Sequence, residues 1–189
     1  EIYKGMKLID EELGGTTPLD VIIHFNEEDY ELSLTSNENE EILSDELSID
    51  EDLDFEEDFF DEDIFTKDNN NWFSNDKLKI IYDIHEYLNT RDEIGKVQSI
   101  KSLIDLANLI NKKPLSIFEL SVLYNEVPDN YKEQLINPYL LIDNNMARIT
   151  ARVRDSGDIN RKQLIKDIKI FIELNKNSSL DNFRINGLL

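Results

Sequence analysis

Cysteine is absent from the 189-residue chain, which excludes disulfide bonds and thiolate metal sites. No run of about 18 apolar residues occurs, so no segment is predicted to span a bilayer. The two histidines, His24 and His85, lack the HxxxH or HExxH spacing of a zinc site. A GxSxG nucleophile motif is also missing. We therefore predict no catalytic, cofactor-binding or metal-binding residue, and we do not expect an enzyme.

Lysine and arginine are absent from residues 27–66, although this stretch holds 19 of the 41 acidic residues. The rest of the chain has 22 acidic against 20 basic residues, so most of the net charge of −21 lies in one segment. We predict that residues 27–70 form an acidic, mobile surface insert. An acidic chain repels nucleic acid and anionic membrane surfaces, which excludes both as direct partners.

Hydrophobic periodicity divides the remainder into strands and helices. Apolar and polar residues alternate at 19–25 and 148–154, which indicates strands with one buried face. Apolar residues recur every three to four positions in segments that therefore read as helices, at 3–13, 75–89 and 161–175. Shorter strands are predicted at 96–100 and 183–187, and residues 139–142 are predicted to be extended before a turn at 143–145.

Three further helices, at 101–111, 115–126 and 129–136, make residues 101–137 a helical insertion. Without the two insertions, the order of elements is that of a ferredoxin-like split β-α-β repeat. We therefore predict a single α+β domain over residues 1–189, with helices covering one face of an antiparallel sheet.

Residues 50–61 resemble the start of a calcium-binding loop, because carboxylates occupy positions 1, 3 and 5. Such a loop needs glycine at position 6 and usually glutamate at position 12, where this chain has Phe55 and Asp61. A solvated acidic loop is the better interpretation, and weak, nonspecific binding of divalent cations stays open as an alternative.

Two groups of residues are candidates for an interaction surface. Arg148, Arg152 and Arg154 share one face of a predicted strand, where they could bind an anionic ligand or a neighbouring acidic domain. The alternative is an ordinary solvent-facing sheet surface. Trp72 and Phe73 follow the acidic insert, and we expect them to anchor its end to the core, with contact to a ligand as the alternative.

Several segments together resemble the periplasmic loops of exporters of the resistance–nodulation–division superfamily, in the branch of the mycobacterial membrane proteins and hopanoid exporters. In chain order they are LGGTTPLDVII at 13–23, WFSNDKL at 72–78, IGKVQSI at 94–100, FEL at 118–120 with LY at 123–124, ARITARVRDS at 147–156, and NGLL at 186–189. The resemblance covers nearly the whole chain, and the ordered set is more specific than any one segment.

This resemblance implies a segment of a proton-driven exporter in the bacterial inner membrane, lying on the periplasmic side and most similar to the second periplasmic loop. Its partners would be the other periplasmic loop, the transmembrane helices of the same protein, and a hydrophobic or lipid-like substrate. The proton-relay residues of such exporters lie in membrane helices, so no catalytic residue is carried over. Because residue 1 is glutamate, we expect a piece of a longer protein, and the isolated domain could self-associate.

The competing hypothesis is a free-standing acidic scaffold protein that recruits a basic partner or divalent cations through residues 27–70.

Overall fold

The computed structural model describes residues 14–26, 72–154 and 159–187, together with Gly5, Leu8 and Asp10, which are helical. The remainder of the helix predicted at 3–13 and the acidic segment predicted at 27–70 lie outside the described residues. Residues Glu1–Glu27 and Trp72–Leu189 form one compact unit, separate from Glu28–Asn71.

The sheet is built around β1 (Thr17–Phe25) and β4 (Met146–Val153), which pair antiparallel over eight residues of each strand, from Thr17 opposite Val153 to His24 opposite Met146. In both strands every second side chain is buried, as the alternation predicts. Their partners extend the sheet on both sides: β5 (Leu180–Gly187) pairs with β1, and β2 (Ile94–Gln98) and the short β3 (Leu140–Leu141) both pair with β4.

All pairings in this sheet are antiparallel, and the main order of strands is β2-β4-β1-β5. Strands β1 and β2 are thus separated by β4, while β4 and β5 are separated by β1. Helices provide the connections: α1 (Asn75–Asn89) joins β1 to β2 after the acidic segment, and α5 (Arg161–Leu174) joins β4 to β5. The predicted combination of helices with an antiparallel sheet is confirmed.

The core lies between one face of the sheet and helices α1 and α5. Helix α5 buries Leu164, Ile168 and Ile172, which recur at the helical period. The two helices meet where the rings of Tyr87 and Phe171 stack, with centroids 3.9 Å apart. Ser74 caps α1 by accepting a hydrogen bond from the backbone N–H of Lys77, a role for which serine is well suited.

Three helical segments lie between β2 and β3, close to the predicted insertion at 101–137. They are α2 (Ile100–Asn111), α3 (Ile117–Glu126) and α4 (Asp129–Tyr131), and α4 continues into a π-helical turn at Lys132–Ile136. Hydrogen bonds from the backbone and hydroxyl of Ser116, and then from Lys113, hold the pKa of Glu119 at about 2. Because these bonds also close a capping box, the sequence itself determines where α3 begins.

Two glycine-containing segments, at 14–15 and 94–95, meet at one end of the sheet. Gly15 has φ of +125°, and a Cβ atom there would lie 2.6 Å from the carbonyl carbon of Val153. A Cβ atom on Gly95 would overlap the backbone of Gly14. Only glycine permits this close approach of two backbones. The positions of these glycines in the sequence do not reveal that the two segments meet.

Element boundaries differ from the predicted ones where capping decides them. Strand β2 begins two residues earlier than predicted and ends at Gln98, because Ser99 caps α2 and Ile100 is already helical. Strands β4 and β5 begin two and three residues before the predicted positions 148 and 183. Among the described residues, no helix combines the length and the apolar character needed to cross a membrane.

Candidate functional site

Among the described residues, one face of the sheet has exposed or half-buried side chains instead of a packed core. This face forms the candidate site, which we call the open face. It is defined by the residues of β1, β4 and β5 that alternate with the buried ones. They are Pro18, Asp20, Ile22, His24, Met146, Arg148, Thr150, Arg152, Asn182, Arg184 and Asn186. All of them are exposed or half-buried, whereas Val21 and Ile149 on the other face are fully buried.

Strand register places two arginines on either side of one apolar residue. Ile22 lies opposite Arg148 in β4 and opposite Arg184 in β5, so the three residues form a row across the sheet. With strands about 4.8 Å apart, the backbones of the two arginines are separated by about 10 Å. Sequence reasoning found Arg148 but missed Arg184, because the pairing of β5 with β1 is not visible in the sequence.

Arg148 and Asp20 form an ion pair across β4 and β1. A terminal guanidinium nitrogen of Arg148 donates to Oδ2 of Asp20 at 2.8 Å, and the two side chains are 48% and 22% exposed. Asp20 is the one acidic residue of β1 and β4, against Arg148 and Arg152. The pair therefore neutralises only part of the positive charge of the open face, and solvent keeps its strength modest, at roughly 1 kcal/mol or less.

The other predicted arginines lie near Arg148 without joining the same cluster. Arg152 is exposed on the open face, between Pro18 of β1 and Gly95 of β2. Arg154 is also exposed but follows the end of β4, where its backbone N–H donates to the carbonyl of Glu93. The three arginines of the sequence prediction thus lie along β4 and just beyond its end. The arginine that lies across Ile22 from Arg148 is Arg184, in β5.

A cleft of about 270 Å³ opens beside Arg148, at the edge of the open face. Its polar lining residues are Asp20, Asn137 and Arg148, and its apolar lining residues are Ile22, Pro138, Tyr139, Leu141, Met146 and Ala147. Beside the cleft, β3 pairs with only two residues of β4, at Leu140 with Ala147 and Leu141 with Met146. The backbone N–H of Arg148 donates to the carbonyl of Tyr139, which holds the wall of the cleft against β4.

A second cleft, of about 330 Å³, lies between α3, α4 and the turn after β3, and its lining is more polar. The ammonium of Lys132 lies 4.7 Å from the ring centroid of Tyr124 in this cleft. Burial, and then the negative charges of Asp143 and Asp129, raise the pKa of the Tyr124 phenol. Tyr124 therefore remains neutral around neutral pH.

Helices α2 and α3 expose large apolar side chains to solvent, mostly near the turn that joins them. The most exposed are Leu109 and Ile110 in α2, at 75% and 74%, and Phe118 in α3, at 64%. Leu106, Val122 and Leu123 add to the same pair of helices. Six large apolar residues are thus exposed on two helices joined by a short turn, and we call this pair of helices the α2–α3 hairpin. An accumulation of exposed large apolar side chains is typical of a surface that another molecule covers.

Trp72 and Phe73, which the sequence also offered for an interaction surface, are core residues. They are 0% and 5% exposed, and their rings stand edge-on to each other with centroids 5.6 Å apart. Trp72 also contacts Phe25, and Phe73 contacts Tyr124 of α3. The burial of both side chains excludes them from the open face and fits the anchoring role described above.

A buried lysine was missed by the sequence reasoning. Lys77 is 1% exposed, and its ammonium lies 5.5 Å from the ring centroid of Trp72 and 5.7 Å from that of Phe25. The helical spacing of Lys77 with Ile81 and Ile84 places it on the buried stripe of α1, and this spacing could have revealed it.

His85 is held in the core by a 2.8 Å hydrogen bond between its Nδ1 and the Ser99 hydroxyl. Burial is the main reason that the pKa of His85 is lowered, and the positive charge of Lys101 lowers it further. His24 lies on the open face, far along the chain from His85. In the parts of the chain that the structure describes, no three histidine or acidic side chains come close enough together to hold a metal ion.

Comparison of the chain with family models, with curated proteins and with solved structures finds no match in any of the three.

Proposed function

We propose that this chain is a periplasmic porter domain of a proton-driven exporter of the resistance–nodulation–division superfamily, guiding a hydrophobic or amphipathic, lipid-like substrate. The observation that carries the proposal is the exposed apolar surface of the α2–α3 hairpin around Leu109, Ile110 and Phe118. In a domain that packs against the rest of a larger assembly, such a surface would be buried in the interface. The ordered motifs at 13–23, 72–78, 94–100 and 147–156 supply the link to this superfamily.

The strand order supports the finer description of the fold as a ferredoxin-like split β-α-β porter unit. In such a unit each helical connection joins two strands that have a third strand between them. Strands β1 and β2, joined through α1, have β4 between them, and strands β4 and β5, joined through α5, have β1 between them. The α2–α4 segment and β3 are then additions between β2 and β4.

The transport role would use two surfaces that ordinary folding does not require. The open face offers a cleft with apolar lining beside Arg148, and the α2–α3 hairpin offers an apolar surface for a second protein element. We propose that the domain moves as a semi-rigid body against the other porter domain, driven by proton flow in the membrane part of the exporter.

The first test is to read the coding sequence on both sides of residues 1–189. We expect an apolar segment of about 20 residues on each side, and the full-length product should fractionate with the inner membrane. An open reading frame that starts and stops at the ends of this chain would contradict the proposal. It would leave the acidic scaffold as the better hypothesis, since residues 27–66 would then be its main feature.

The second test uses the absence of cysteine from this chain. Single cysteines at Leu109, Ile110 and Phe118 are reacted with a water-soluble maleimide, first in the 189-residue chain and then in the full-length exporter whose other cysteines have been replaced. We expect at least about tenfold slower labelling in the exporter, because the hairpin is covered there. Lys162→Cys on exposed α5 is the control and should react equally fast in both. Equal rates at Phe118→Cys would show that nothing covers the hairpin.

A further inference from the structure

We propose that the open face is a binding subsite for an anionic amphiphile, whose acidic head group binds at Arg148 and Arg184 and whose apolar chain lies in the neighbouring cleft. This inference narrows the substrate class of the proposed function and rests on it for the cellular setting. The binding event itself depends only on the described residues and can be tested separately.

The head-group half of the subsite is the row Arg148–Ile22–Arg184. Arginine carries five N–H donors, and Arg148 directs one terminal nitrogen to Asp20, which leaves donors for a second acceptor. Arg184 is exposed on the far side of Ile22, so a carboxylate or phosphate above Ile22 would approach both guanidinium groups. Fork-shaped guanidinium donors match the oxygen pairs of such groups, which favours an anion as the occupant.

The apolar half of the subsite begins at the same residue. Ile22 and Met146 belong to the open face and also line the cleft, which continues along Pro138, Tyr139 and Leu141. Leu141 is 47% exposed, so its side chain is available to a ligand. At about 270 Å³ the cleft is slightly smaller than the range of about 300–1,000 Å³ for drug-sized ligands, and it suits part of one alkyl chain.

Charge decides between an anionic and a cationic amphiphile. A cationic head group at Ile22 would lie between two arginines, and Asp20, the acidic residue that the structure describes on the open face, is already paired with Arg148. An anionic head group would gain two cations and meet one partly neutralised carboxylate. Asp20 therefore weakens the site for its proposed ligand, which predicts that removing its charge strengthens binding.

The experiment titrates the isotopically labelled 189-residue chain with decanoate, decanol, decylammonium and acetate, and follows the backbone amide NMR signals. Decanoate is expected to shift the signals of Ile22, Met146 and Arg148 and to bind at least about fivefold more tightly than decanol, which has the same chain and no charge. Acetate has the charge without the chain and should bind too weakly to saturate. Saturation by acetate in the same range would mean a simple anion site and overturn the proposal, as would equal affinities for decanoate and decanol.

Four variants test the assignment with opposite expected signs. Arg148→Gln should weaken decanoate binding about fivefold, and Asp20→Asn should strengthen it about threefold. Leu141→Asn should weaken decanoate binding and leave the weak response to acetate unchanged. Lys162→Gln, on α5 beyond the opposite face of the sheet, is the matched control and should change nothing.

Weaker decanoate binding in Asp20→Asn, or unchanged binding in Arg148→Gln, would overturn the inference even if the chain proves to be part of an exporter. Conversely, selective decanoate binding with no flanking membrane segments in the gene would support the subsite and contradict the proposed function.

Discussion

Lys77, in the first turn of α1, donates a 2.9 Å hydrogen bond from Nζ to Oδ1 of Asn145, a residue 68 positions later at the start of the β4 strand. The amide nitrogen of Asn145 donates in turn to the carbonyls of Phe25 and Asn26 at the end of β1. Asn145 thus links the first turn of α1 to the ends of two central strands. Both Lys77 and Asn145 are buried, so these hydrogen bonds are shielded from water.

We expect Asn145→Ala to lower the free energy of unfolding by about 2–4 kcal/mol, because it removes these bonds from buried groups and places alanine at a φ of +51°. Asn145→Gly tolerates that φ and should recover about 1 kcal/mol of the loss. Denaturant unfolding measures both. The neighbouring Asn144 is exposed, and Asn144→Ala should stay within about 0.5 kcal/mol of the parent. If Asn145→Ala behaved like Asn144→Ala, the link would not contribute to stability.

Gly15→Ala and Gly95→Ala test the close approach of residues 14–15 to the ends of β2 and β4. Each is expected to destabilise the chain by about 1–3 kcal/mol, because the new methyl group meets backbone atoms that cannot move aside. In Gly15→Ala the φ of +125° adds backbone strain to the clash, and in Gly95→Ala the new methyl group overlaps the backbone of Gly14. Gly5 is helical with open space around it, so Gly5→Ala should be neutral or stabilise by up to about 1 kcal/mol. Thermal unfolding of the three variants under one condition makes the comparison.

His85 makes stability depend on pH in a defined direction. Its pKa in the folded chain is below the ordinary value of 6.5, so the unfolded chain binds the proton more readily. The stability that the neutral imidazole contributes is present above pH 6.5 and is lost as the pH falls from there through the lowered pKa. We expect His85→Gln to remove this part of the pH dependence.

The measurement is the free energy of unfolding of the parent and of His85→Gln between about pH 7.5 and about pH 5.5, at constant ionic strength. The advantage of the parent over the variant should shrink as the pH falls. Carboxylates titrate alike in both proteins, so their contribution cancels in the difference. A constant difference across this range would mean that His85 has an ordinary pKa.

The exposed side chains of the α2–α3 hairpin should contribute little to folding and more to association. Leu109→Ser, Ile110→Ser and Phe118→Ser are each expected to change the free energy of unfolding by less than about 0.5 kcal/mol. The triple variant should show less concentration-dependent self-association in analytical ultracentrifugation, because the apolar surface is smaller. Leu120→Ser, in the same helix as Phe118, is the contrast. Leu120 is buried, and this substitution should lower the free energy of unfolding by several kcal/mol. Unchanged association of the triple variant would assign any self-association to another surface.

Much of the local structure follows from the sequence because its determinants are short-range. Strand β1 and helix α1 have strong periods, and Ser74 and Ser116 cap helices within three or four residues of themselves. The boundaries of β2 were harder to predict, since the same residues could extend the strand or start α2, and the side chain of Ser99 favours the helix. The polar and apolar faces of β4 were correct, and with them the exposure of Arg148 and Arg152.

The candidate site was only half predictable. Arg148 and Arg152 stand out because they alternate with apolar residues in one strand. Nothing in the sequence identifies Arg184 as their neighbour, because Ile22 and Arg184 are 162 residues apart and their pairing depends on register across the sheet. Trp72 and Phe73 were expected to anchor the end of the acidic segment to the core, with contact to a ligand as the alternative, and their burial fits the anchoring role. Their position in the sequence did not reveal which rings they pack against, namely Phe25 and Tyr124.

The sequence by itself determined which of the described segments are helical or extended. It also determined that nearly all of the net negative charge lies in residues 27–66, since both features depend on residues close together in the chain. Only the tertiary structure decided that Lys77 is buried against aromatic rings, that Gly15 and Gly95 must be glycine, and that Arg148 and Arg184 flank Ile22 beside an apolar cleft. These relationships arise from contacts between distant segments, and packing rather than local propensity selects the register that creates them.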